Sequence, residues 1–156
     1  MAVEMLLVFA LKAPPSGASL QEALDREPFP VLIADAASLD LQKHTGFLPV
    51  KYKALNTGFF IYQSTPKELE SSYPETRSVR PAIQAVVSFQ FGGNPLECVS
   101  VMRTASVLVA TFAAKAFDPQ SRSFVDADNL KTIASICEDQ AKKLNAFPIT
   151  TTKPSQ

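Results

Sequence analysis

Residues 82–115 run AIQAVVSFQF, turn through Gly92-Gly93-Asn94-Pro95 and continue as LECVSVMRTASVLVATFAAK; no other stretch constrains the fold as tightly. The first part has the β-branched and aromatic content of a buried strand, while the second is too long and too rich in Ala, Met and Leu to be one. Strand, tight turn and helix follow. Asn94 can accept a hydrogen bond from the free N–H groups of the first helical turn. Pro95 suits the first helical position, and Glu97 stands where a capping box places its acid. Between Thr104 and Ala114 no residue is charged, so a helix over 95–115 is expected to be buried all round, against a sheet.

The rest of the chain supplies that sheet. The apolar run 3–11, broken by Glu4, reads as an inner strand. MLLVFAL followed by Ala-Pro-Pro-Ser-Gly-Ala has the layout of a short export signal, but Glu4 stands where such a signal carries Lys or Arg. Ser19 is read as the cap of a short helix with Glu22 as its acid, and residues 30–35 as a strand, a β-α-β opening compatible with a parallel or a mixed sheet. Residues 46–54 alternate, with Leu48, Val50 and Tyr52 on one side and Lys51 and Lys53 on the other. Asn56-Thr57-Gly58 then turns the chain into FFIYQ, making 47–63 a hairpin. Thr65, Pro66 and Glu68 open a short helix that Pro74 ends. Asp126 or Asp128 caps a final amphipathic helix over 128–144, with Lys142 and Lys143 beside its free carbonyls. The expected fold is α+β: a single domain over 1–147 with a tail at 148–156, and a mixed sheet of about five strands packed by the central and C-terminal helices.

Composition narrows the function. Lys plus Arg and Asp plus Glu are 15 each, so no basic footprint for direct nucleic-acid binding is visible. No run approaches the roughly 20 apolar residues of a membrane span. Cys98 and Cys137 both fall in predicted helices, which reads as small buried thiols and favours a reducing cytoplasm.

Candidate chemistry is sparse. His44 is the one histidine, so no histidine pair exists for a relay or a metal centre, and neither cysteine has a local catalytic signature. Asp118, Asp126 and Asp128 lack the glycine and closing glutamate of a calcium loop and are read as turn and cap residues. Gly92-Gly93 before a helix could cradle an anion, but neither GxGxxG nor GxxxxGK[ST] is present. No enzymatic activity, cofactor or metal is expected. Glu68, Glu70 and Glu75 stand near Tyr73 and the strand bearing Phe60 and Tyr62, a mixture of acids and aromatics that suits a partner-binding surface as well as ordinary core and rim.

NTGFFIY after a lysine-bearing strand, AVVSFQFGGNPLECVSVMRTA and AFDPQSRSFVDADNL, taken in this order over residues 45–140, resemble small bacterial α+β immunity proteins encoded beside secreted antibacterial toxins, notably those of type VI secretion systems. The resemblance implies a cytoplasmic protein that binds one cognate toxin, possibly a nuclease, and blocks its active site. Such a family carries no catalytic residues to transfer. Phe60, Tyr62, Glu68, Glu70, Tyr73 and Glu75 are the expected partner-binding residues. The alternative is a small-molecule-binding or enzymatic domain with its site near the Gly92-Gly93 turn. A third reading is a homodimer in which the strand 59–63 pairs with its own copy.

Overall fold

The computed structural model describes residues 4–10, 13–79, 83 and 85–144. In chain order they form β1 (Glu4–Ala10), α1 (Gly17–Leu24), β2 (Val31–Ile33), β3 (Gly46–Tyr52), β4 (Leu55–Ser64), α2 (Pro66–Ser72), β5 (Ala85–Phe91), α3 (Pro95–Thr111), β6 (Ala114–Asp118), β7 (Ser123–Val125) and α4 (Ala127–Lys143). The fold is α+β. One seven-stranded sheet runs β2-β3-β4-β5-β1-β6-β7, wider than expected. All its pairs are antiparallel, where a mixed sheet was expected. The β-α-β opening makes no parallel pair because α1 carries the chain from the middle of the sheet to its edge.

Strand alternation divides the sheet into two faces. On one, Val50, Phe59, Ile61, Val87 and Phe89 are buried in a single core with residues of α1, α3 and α4. Burying each such side chain contributes about 1.5–3 kcal/mol. The helix α3 is the centre of this layer: Val99, Val101 and Ala105 are fully covered, and so are the small polar residues Ser100 and Thr104. Its start follows the sequence signals, since the Asn94 side chain accepts from the Leu96 N–H and the Glu97 carboxylate from the Gly92 N–H.

Several local expectations are corrected. The central helix stops at Thr111, because Ala113 adopts a left-handed conformation (φ 57°) that turns the chain into β6. Ser16, not Ser19, caps α1, its side chain accepting from the Ser19 N–H. Asp126 caps α4. The hairpin turns at Lys53-Ala54, where φ is positive at both residues (49° and 67°) as a two-residue type I′ connection demands; Asn56 and Gly58 lie inside β4. The strand 59–63 belongs to β4, which lies between β3 and β5, so its edges are already paired and cannot pair with a second copy.

The cysteines are corrected as well. Cys98 of α3 and Cys137 of α4 form a disulfide, with Cα atoms 6.1 Å apart. Placing both in helices was right, but the two helices face one another and bring the thiols together. No helix among the described residues is long and apolar enough to cross a membrane.

Candidate functional site

Among the described residues, the second face of the sheet is covered over only part of its width. By strand register Phe47 lies opposite Phe60, and Phe60 and Tyr62 alternate outward between the buried Phe59 and Ile61. The Phe47 and Phe60 rings meet edge to face at 5.3 Å, and the Phe60 and Tyr62 rings stand parallel at 6.2 Å. Such contacts hold aromatic rings in defined positions. All three remain open to solvent, at 49%, 43% and 36% exposure. Gly58 permits the arrangement, because the Phe47 ring occupies the space where any β-carbon at position 58 would project. Lys51 and Leu32 extend the exposed surface toward the β2 edge.

The remainder of this face carries α2 and the 3₁₀ turn Pro74–Ser78. Leu69 is buried against Val86 and Phe117 in a second small core, which Tyr73 and Val79 flank. Register places Val86 and Phe117 on the same side of the sheet as Tyr62, so α2 and the open aromatic rings share a face. Thr65 caps α2 by accepting from the Glu68 N–H, as its sequence foretells. Arg122, in the β6–β7 turn, donates through Nε and Nη2 to the Glu75 carboxylate, the latter bond being 2.8 Å. Its guanidinium also lies 5.6 Å from the Tyr73 ring centre. Hydrogen bonding from Arg122 holds the Glu75 carboxyl below its ordinary range.

The six residues singled out in the sequence therefore divide. Phe60 and Tyr62 are on the open surface, and Glu68 and Glu70 are exposed on α2. Tyr73 packs 5.5 Å from Phe117 and Glu75 is taken up by Arg122, so these two fasten the covering segment to the sheet. Phe47 was missed. The alternation that put Lys51 on the wet side of β3 puts Phe47 there too.

Comparison with protein-family models, curated proteins and solved structures finds no match. The site rests on its own geometry.

A second group escaped the sequence reading altogether. Glu138 of α4 is buried and accepts from the Tyr52 hydroxyl at 2.5 Å, from Lys53 Nζ at 2.6 Å and from Arg103 Nη2 at 3.3 Å. Burial pushes its carboxyl up, but the bonds from Lys53 and Tyr52 outweigh this and hold it below the ordinary carboxylate range. Burial, and then the bond to Glu138, raises the Tyr52 phenol above its ordinary value. Lys53 can reach Glu138 because the left-handed turn swings it away from the wet side of β3, and its ammonium lies 4.1 Å from the Phe29 ring centre. The cluster ties the hairpin to α3 and α4. Lys53 and Glu138 are 85 residues apart, and only the fold reveals the pair.

The remaining candidates have local roles. Asp118 accepts from the Gln120 N–H, Asp126 is the α4 cap, and His44 Nε2 lies 3.2 Å from the Phe47 carbonyl oxygen. At the Gly92-Gly93 turn the Glu97 carboxylate already takes the Gly92 N–H that an anion would use. An apolar cleft bordered by Pro14, Leu41, Leu108 and Phe112 has a volume of about 20 Å³. That admits about one water-sized group, not a metabolite. Among the described residues no group of His, Cys, Asp and Glu could hold a metal ion.

Proposed function

We propose that this protein is a binding module that neutralises a cognate secreted antibacterial toxin by covering its active site, and that the sheet face bearing Phe47, Phe60 and Tyr62 makes the contact. The observation that carries this reading is the set of three adjoining rings on one side of the sheet, each more than a third exposed. Ring contacts limit their freedom before binding, so less order has to be imposed when a partner arrives. Aromatic residues of this kind act as anchors at protein interfaces. In this reading Glu68 and Glu70, exposed on α2, would meet basic groups at the margin of the partner's contact. The resemblance to immunity proteins supplies the class of partner. No catalysis, cofactor or direct nucleic-acid contact belongs to this reading, and the disulfide removes the ground on which a reducing cytoplasm was expected.

The alternative, a ligand at the Gly92-Gly93 turn, is less well supported because the turn's Gly92 N–H is satisfied from within the chain. The test is capture of a partner from the native host on tagged protein, followed by expression of the captured protein alone and together with this one. Growth arrest by the captured protein alone, relieved by the wild type but not by Phe60→Ala/Tyr62→Ala, is expected. Equal relief by the double variant would place the contact elsewhere, and the absence of any toxic partner would overturn the proposal.

A further inference from the structure

The disulfide joins the first turn of α3 to the middle of α4, two of the three helices that cover one face of the sheet. Cys98 and Cys137 are each 8% exposed, so little of either is open to a dissolved thiol. They are the only cysteines in the chain, leaving no third thiol to resolve the bond by internal exchange. Redox-responsive cysteines are solvent-accessible; these two are buried. The bond also fixes more than itself. Glu138 follows Cys137 directly, and it gathers Tyr52, Lys53 and Arg103 from the hairpin and α3. Crosslinking α4 to α3 therefore holds the carboxylate against the three groups that neutralise and hydrogen-bond it.

We infer that the Cys98–Cys137 bond is a permanent structural crosslink, and that the chain matures and works in an oxidising compartment, the cell envelope or the exterior. Persistent disulfides belong to such compartments, while cytosolic thiols are kept reduced. Formation follows ordinary exchange: one cysteine thiolate attacks the disulfide of a dithiol–disulfide oxidoreductase and forms a mixed disulfide. The second thiolate then displaces the catalyst's sulfur. Two thiols of this chain lose two protons and two electrons, and the catalyst leaves as a dithiol. This assignment does not depend on the binding reading, because it concerns where the fold is completed and not what the open face meets.

The test uses the native host. Cells are quenched in acid to stop exchange, free thiols are alkylated, and the untagged chain is followed by intact mass in envelope, exterior and cytoplasmic fractions. The expected result is a chain outside the cytoplasm that takes up no alkyl group until it is reduced. Free thiols in the native chain overturn the inference, as does recovery from the cytoplasm in either redox state. The structural role has its own measurement. Cys98→Ser/Cys137→Ser should melt roughly 10 °C below the oxidised wild type, and reduced wild type should approach the variant. An unchanged melting temperature in both would show that the bond is not a staple.

Discussion

At the scale of single residues, Glu138 carries the sharpest consequence. Its carboxylate is the acceptor for Tyr52, Lys53 and Arg103, and Arg103 Nε is buried without a hydrogen-bond partner of its own. Glu138→Gln keeps the shape and removes the charge, leaving a largely buried guanidinium without its anion. About 2–4 kcal/mol of stability should be lost at pH 7, read by urea denaturation. The sign of the pH dependence follows from the depressed carboxyl. Its contribution is fully present above the ordinary glutamate value of about 4.3 and disappears as pH falls through the lower folded value. The difference between wild type and Glu138→Gln should accordingly be complete at pH 7 and close in acid below about pH 4.

At the scale of elements, the β3–β4 turn holds two non-glycine residues at positive φ. Lys53 is held there by its bonds to Glu138, but nothing comparable requires an alanine at 54. Ala54→Gly should raise stability by roughly 1 kcal/mol, since the left-handed conformation costs an L-residue about that much. A rise in the urea midpoint without a change in slope would check it. The covering segment gives the opposite case. Leu69 is 2% exposed and anchors α2 over Val86 and Phe117, so Leu69→Ala should cost about 2–4 kcal/mol. Amide exchange across 66–79 should rise by more than exchange in α3.

These elements also separate what was legible in the sequence from what was not. Caps were legible because they are local: Asn94, Thr65 and Asp126 bond N–H groups two or three residues ahead. The amphipathic face of α4 was legible by its spacing. The hairpin was found with its turn misplaced, because Lys53-Ala54 carries no turn chemistry and owes its conformation to the strands and to Glu138 on either side. The short strands β6 and β7 went unassigned, since three to five residues hold too little periodicity to stand out. The strand order, the disulfide and the Glu138 cluster join residues distant in sequence, and no local pattern announces them. Of the proposed contact surface, Phe60, Tyr62, Glu68 and Glu70 were named from sequence and Phe47 was not. Tyr73 and Glu75 were named, and the fold gives them work within the chain.

At the scale of the molecule, the sheet is closed on one face by three helices and half closed on the other by α2 and its following turn. What remains open is an aromatic surface over β3 and β4, supported from behind by the main core. Both edge strands are only three residues long, which limits pairing with other chains through the sheet edge and leaves the face as the larger contact surface. The disulfide and the Glu138 cluster, at neighbouring positions of α4, fasten the α3–α4 pair to each other and to the β3–β4 hairpin, so the open face should change little on binding. The most direct test of the proposed contact is calorimetric titration of the captured partner with wild type, Phe60→Ala and Ile136→Ala, each first shown to be folded by circular dichroism. Ile136 is exposed on α4 and serves as the control. Phe60→Ala should weaken binding by roughly 30-fold, equivalent to about 2 kcal/mol, and Ile136→Ala should bind as the wild type does. Unchanged affinity for Phe60→Ala with a loss for Ile136→Ala would contradict it and move the contact to the helical side.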